Sequence, residues 1–420
     1  MIEAVKGTRD ILPDEAGRWQ FVEAQAREVF GLYGFREIRT PIFESTELFA
    51  RGVGEGTDIV AKEMYTFLDR KGRSLTLRPE NTAPVARAYL EHGMQRGSDL
   101  TRLYYIGPMF RYERPQKGRM RQFSQIGVEA LGSEHPAVDA ETLQMLMVFL
   151  ERLGLGTSAL LLNSVGCENC RPAYRAILQE ELAPFRDRLD PDCRRRLNTN
   201  PLRVFDCKIP EDQALIAAHA SPILEHLCAD CRRHLDGVRG HLERLGVPHT
   251  MEPRLVRGLD YYRRTTFEVT LPTLGAQSAL LGGGRYDGLV QELGGPPVPG
   301  FGFAVGEDRL VMSLPADRAG EDRRPDAVAV ILGEEGVGPV LEAARRLREA
   351  GMTVVVEPFP ERSAKAQLRR ANDLRAKSAL LVGSSEVAAG SITIKRLTDG
   401  LQKTVAVGDV AATLREMLHG

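Results

Sequence analysis

Five cationic side chains, Arg111, Arg114, Lys117, Arg119 and Arg121, crowd around a single Glu113, and the segment ends on an aromatic, Phe123. Guanidinium forks aim paired N–H groups at phosphate oxygens, a carboxylate accepts from an exocyclic amine, and an aromatic ring offers a stacking face. Together these suit ATP. A solvated basic turn would use the same residue types, since charge runs are commonly exposed. The flanks say what holds them. Residues 103–110 are apolar and aromatic and residues 123–130 alternate, so the basic segment reads as the loop of a long β-hairpin.

Four more segments are of interest, two of them where one element gives way to another. Leu75 to Leu77 reads as a strand that gives way at Glu80 and Thr82 to a helix over 83–91, a place where backbone and side-chain groups converge; there Asn81 or Thr82 would serve as the helix cap. Arg257-Gly258-Leu259-Asp260-Tyr261-Tyr262 joins an arginine to two tyrosines, and Gly282-Gly283-Gly284-Arg285-Tyr286-Asp287 puts glycines, which let backbone approach a ligand closely, before another tyrosine. A tight turn would use those glycines equally well. Finally, Gly300 to Gly306 is a glycine-rich strand running into a helix that carries Arg309.

The order of these segments resembles the class II aminoacyl-tRNA synthetases, and the Arg257 and Gly282 segments resemble the two histidine-specific motifs of the histidyl-tRNA synthetases. The likeness covers nearly the whole chain. It implies activation of histidine with ATP, followed by transfer to the 3′ end of tRNA(His), with Arg111 on the α-phosphate, Glu113 at the adenine amine, Phe123 stacked on adenine, Arg119 on the γ-phosphate and Arg309 over the other side or the terminal phosphate. Arg257 would contact both the α-phosphate and the histidine carboxylate, where related enzymes place a metal ion. Glu129 and Tyr262 would face the imidazole, Glu80, Thr82 and Gln125 the amino group, Tyr261 and Tyr286 the walls, and Arg114 and Gln116 the tRNA acceptor end. ATP would enter as its Mg2+ complex. Ser124 and Asn81 depart from the family pattern, which commonly has histidine and glycine there.

The competing reading is a catalytically inactive relative, the regulatory subunit that pairs with an ATP phosphoribosyltransferase; retention of the Arg257 motif and of a C-terminal domain opposes it. A synthetase for threonine, glycine or proline is opposed by the two histidine motifs.

The resemblance implies an α/β chain: a catalytic domain over 1–325 with an antiparallel sheet flanked by helices, a helical insertion over 166–246 reaching toward the tRNA acceptor arm, and an α/β anticodon-binding domain over 326–420. The pattern of the residues agrees in outline. A helix is expected over 15–33 with Gly34 as its stop, then a strand over 35–44 that Pro41 confines to an edge or bends. In the family that strand builds a homodimer interface. Residues 166–246 read as charged helices over 171–189, interrupted at Pro184, and over 224–245. Beyond a polar stretch ending at Pro325, five strands alternate with three helices.

With 420 residues, 43% of them hydrophobic and 27% charged, the chain has ample core for two or three domains, and a net charge of −1 neither advertises nor excludes a nucleic-acid partner. Met1 to Lys6 lacks a basic leader with an apolar follow-on, and no run nears the roughly 18 apolar residues of a bilayer span, so no membrane association and a cytoplasmic location are expected. There the six cysteines would be reduced thiols. Cys167 with Cys170 and Cys228 with Cys231 form two C-x-x-C pairs that suit a structural zinc, Cys193 standing in if one pair lies out of reach; the alternative is ordinary buried thiols.

Overall fold

A computed structural model describes residues 2–54, 57, 59–114, 118–259, 261–316, 318 and 324–419, with backbone alone at 275–277. The chain forms two compact units, Met1–Gly320 and Glu321–Gly420.

In the first unit the aromatic and alternating segments pair as expected, as the ten-residue antiparallel strands Thr101–Phe110 and Gln122–Leu131, in register from Thr101 opposite Leu131 to Phe110 opposite Gln122. They lie in an eight-stranded sheet whose order continues through Gly300–Gly306, Ala279–Arg285, Arg263–Thr270, Ala159–Ser164 and Thr250–Met251. Its two outermost pairings are parallel and the rest antiparallel. Helix Pro13–Leu32 covers one face, burying Trp19, Val22, Ala26, Val29 and Phe30 at the three- and four-residue spacing of a single stripe. Phe30 meets Phe149 of helix Pro136–Arg152 at 5.3 Å between ring centroids and Phe303 of the sheet at 6.1 Å. Gly34 takes φ 77°, the left-handed stop expected of it.

The single strand expected over 35–44 is two. Arg36–Glu37 forms the sheet edge, and Phe43–Ser45 belongs to a separate three-stranded sheet with Ser74–Leu77 and Tyr65–Leu68. Pro41 lies at the break, where its lack of an N–H lets the chain leave one ladder and enter another.

Residues 166–246 are helical, with more helices than the periodicity indicates. Helix Arg171–Leu182 gives way to a 3-10 turn at Ala183–Arg188, as Pro184 requires, and Ala229–Arg244 starts five residues later than expected because Ile223–His226 is a separate turn. Pro191–Thr199 and Pro210–His219 are additional. Each opens on proline, and Asp190 accepts the Asp192 N–H at 2.8 Å, so start signals are present although the segments are too short for a clear period.

The second unit is a five-stranded sheet in the order Val354–Val355, Ala327–Leu332, Ser378–Gly383, Ser391–Arg396, Gln402–Ala406, with helices Val337–Glu349, Ala364–Asp373 and Val410–His419. It has its own core, including Ile331, Leu347, Leu380, Ile394 and Leu414. The short helix Ser384–Ala389 was not expected. Among the described residues no helix is long and apolar enough to cross a membrane.

Candidate active site

The hairpin ends deliver Arg111 and Phe123 to the rim of a cavity of about 540 Å³. Arg111 is braced by its Nε donating to the Pro79 carbonyl at 2.8 Å, and its guanidinium carbon lies 5.4 Å from the Phe123 ring centre. Glu113 stands between two cations, with Arg111 at 3.9 Å and Arg119 at 3.5 Å. From the opposite wall comes Arg309, whose guanidinium donates to the Ala279 carbonyl. Burial, and then the nearby charge of Arg119, hold the Arg309 pKa below its usual value, as expected where two cations converge in a partly buried place. Two members of the basic segment lie elsewhere. Arg121 sits 4.0 Å over the Tyr112 ring, and Arg114 is exposed outside the cavity lining. Gln116, Lys117 and Asp260 lie outside the described residues.

Deeper in, polar side chains gather around Glu129. Its Oε1 accepts from the Thr82 hydroxyl at 2.8 Å and the Tyr105 hydroxyl at 3.4 Å, while Tyr286 donates to Oε2. Burial, reinforced by the charge of Glu80, raises the Glu129 pKa to about 8 despite these hydrogen bonds. Gly302 makes room for it, since a Cβ there would lie 2.1 Å from Oε2. Tyr261 packs at 4.7 Å from Tyr262 and 5.8 Å, edge-on, from Tyr286. Gln125 is buried, and its Oε1 accepts no hydrogen bond among the described residues. Glu80 lines the cavity and also supports the fold, because its carboxylate accepts the Thr82 and Ala83 N–H groups at 2.7 and 3.0 Å, capping helix Thr82–Glu91. Asn81 stands at the N-cap position as expected, but its side chain makes no cap bond. Asn81 Oδ1 instead accepts from Thr40 at 2.6 Å and Arg78 at 3.2 Å.

Arg257 lies between these groups. Its Nη1 donates to Glu268 at 2.8 Å, and Gly282 admits the guanidinium, because a Cβ there would come within 2.5 Å of it. Glu268 escaped the reading of the residues, although its signal was available: in Phe267-Glu268-Val269 the two apolar neighbours are fully buried and the polar residue faces the cavity, a period of two. Tyr105 and the insertion residues Arg196, Arg203, Asp206 and Lys208, the last four lining the cavity, were also missed as site residues. Arg285 turns the other way. Fully buried, it reaches Asp139 at 2.7 Å, and His234 of the insertion meets the same carboxylate at 3.1 Å. Burial alone would raise the Asp139 pKa, but Arg285 and His234 outweigh it and hold the group below its usual value.

The two C-x-x-C pairs converge, away from the cavity. Cys193 is not needed as a substitute; it sits with Cys207 and Asp212 in a second cluster.

Residues 7–310 match the family model described as histidyl-tRNA synthetase. The chain belongs to the histidyl-tRNA synthetase family. Residues 326–417 match a second model, the anticodon binding domain. Relatives include the histidine–tRNA ligase of Koribacter versatilis, 51% identical with 100% of this chain and 97% of the relative covered, and that of Oleidesulfovibrio alaskensis, 50% identical with 97% of each covered. Among solved structures, the apo histidyl-tRNA synthetase of S. aureus is similar at a TM-score of 0.82 and 36% identity, over 99% of this chain and 100% of that one.

Proposed function

We infer that this cavity joins L-histidine to ATP and that the chain is a histidine–tRNA ligase. The observation that carries the reading is the position of Arg257, which lines one cavity together with the Arg111, Arg119 and Arg309 cations and with Tyr261, Tyr262 and Tyr286, the last of which donates to Glu129. In the first step the histidine carboxylate attacks the α-phosphorus, and the bond to the pyrophosphate oxygen breaks, giving histidyl-adenylate. The nucleophile is already ionised, so no base is required. The barrier lies in bringing two anions together and stabilising the pentacovalent phosphate, work for positioned cations. Arg111 and Arg257 hold the α-phosphate, and Arg257 also takes the amino acid's carboxylate, a double contact that suits a planar, always-charged fork better than a lysine.

Glu113 and Phe123 receive adenine, while Arg119 and Arg309 grip the terminal phosphates of ATP, which arrives as its Mg2+ complex. Glu129 accepts an imidazole N–H, with Tyr262 beside the ring and Tyr261 and Tyr286 as walls; Gln125 Oε1, Thr82 and Glu80 meet the ammonium. In the second step the terminal ribose hydroxyl of tRNA(His) attacks the carbonyl carbon and AMP departs. Arg114 and Gln116 serve that acceptor end, residues 326–420 read the anticodon, and a structural zinc in the cysteine pairs stays outside the chemistry. A catalytically inactive regulatory role is disfavoured by the full-length similarity to histidine–tRNA ligases at about 50% identity.

The chain works as a homodimer in this reading. Ile42 and Phe43, which follow Pro41, and Phe67 and Leu68 of the same small sheet are 46%, 52%, 44% and 69% exposed, apolar surface of the kind that marks an interface. ATP–pyrophosphate exchange tests the activity: exchange with histidine but not with threonine, glycine or proline is expected, and its absence in a folded sample would overturn the assignment. Removing 326–420 should spare exchange and cripple aminoacylation.

A further inference from the structure

We propose that Cys167, Cys170, Cys228 and Cys231 form one tetrathiolate zinc site that clamps the root of the helical insertion. The four sulfurs lie within 4.8 Å of one another although the two pairs are 61 residues apart in sequence. Cys167 Sγ is 3.7 Å from Cys170 Sγ and 3.8 Å from Cys228 Sγ, and Cys170 Sγ is 3.7 Å from Cys231 Sγ. A tetrahedral ion bound at about 2.3 Å to each sulfur sets the sulfurs about 3.8 Å apart. Disulfides would need about 2.05 Å, and all four residues are free thiols.

Two helices begin at the group. Cys170 immediately precedes helix Arg171–Leu182, and Cys228 immediately precedes helix Ala229–Arg244, with Cys231 inside the latter's first turn. Two helix N-termini thus point their positive ends at the group and offset the net negative charge of a zinc ion held by four thiolates. The Cys167 N–H also donates to Cys170 Sγ at 3.1 Å.

The clamp acts where the insertion leaves the catalytic sheet. Just before the first pair, the Val165 N–H donates to the Arg264 carbonyl and the Arg264 N–H to the Gly166 carbonyl, each at 2.8 Å, and Arg171 holds the Tyr262 carbonyl at 2.9 Å. Arg264, a non-glycine residue at φ 52°, therefore lies between these bonds two residues after the tyrosine pair. A metal that ties both helix starts to this segment closes the insertion's base with a bond network, contributing folding free energy directly.

Elemental analysis and zinc-edge X-ray absorption on the full chain, purified without added metal, test the site independently of any activity. About one zinc per chain with four sulfur neighbours near 2.3 Å is the expected result. Cys167→Ser and Cys228→Ser should each lose the metal, while Cys193→Ser keeps it. Zinc well below one per chain, nitrogen or oxygen in the first coordination sphere, bound iron, or disulfides within the group would each overturn the proposal. The unmutated protein decides the question even if the serine variants fail to fold.

Discussion

In the proposed reading, the two sides of the site recognise their ligands by opposite physical means. On the nucleotide side Arg119 is 43% exposed and Arg111 and Glu113 about half that, and each cation is matched loosely, at 3.5 to 3.9 Å, to the same carboxylate. On the histidine side Glu129, Tyr105 and Tyr286 are sealed from water and interlocked by hydrogen bonds around one carboxyl group. A triphosphate brings enough charge to order flexible cations around it, and solvent makes each single contact cheap to lose. An imidazole ring is told from other side chains by where its N–H groups lie, so its acceptor must be fixed in advance and dry, where an unpaired polar atom is costly. The proposed assignment therefore puts selectivity in the buried half and affinity for phosphate in the exposed one.

Arg257 is proposed to serve both halves, and its loss should be the most severe. Arg257→Ala is expected to lower the exchange rate by roughly a hundredfold or more, the scale of one preorganised electrostatic donor, with ATP binding changed much less. Single-turnover adenylate formation checks this, and a near-normal rate would mean that the two halves do not share this clamp.

Glu129→Gln should act next most strongly and on one half only, raising KM for histidine by about tenfold to a hundredfold, as expected for a buried hydrogen-bond acceptor. With a pKa near 8 in the free protein, Glu129 is a carboxylate acceptor only toward the alkaline side, so kcat/KM for histidine should rise with pH through about 8 and lose that step in the glutamine variant. Stability runs the other way. The folded pKa lies above the unfolded value of about 4.3, so the contribution of this group is complete below that value and is lost as pH rises toward 8. Thermal melts of the two proteins across pH 5 to about 8 should converge at the acid end.

Removing the proposed zinc should have the smallest effect: a few-fold rise in KM for histidine, transmitted through the Tyr262 and Arg264 backbone, with KM for ATP unmoved. Equal effects on both constants would show that the clamp supports the whole sheet rather than the histidine half.

How much of this was legible in the sequence depended on range. The hairpin, the glycine-rich strands and the strand-to-helix change at Glu80 are local patterns, and they brought Arg111, Phe123, Gln125 and Arg309 to one cavity as expected. Directions of side chains were less legible. Arg285 and Tyr286 are adjacent, and the pleat sends one into an ion pair with Asp139 and the other to Glu129. Arg121 and Arg119 also part, one to Tyr112 and one to the cavity. The convergence of the cysteine pairs depends on how the helices between them fold back, which no spacing rule encodes.

The contrast between the halves is tested most directly by the paired Michaelis constants of Glu129→Gln and Arg119→Ala in pyrophosphate exchange. Glu129→Gln should raise KM for histidine and leave that for ATP unchanged, whereas Arg119→Ala should raise KM for ATP by no more than about tenfold, as suits a solvent-screened cation, and leave that for histidine unchanged. If either substitution moved both constants together, the cavity would be one coupled site and the division drawn between its halves would be wrong.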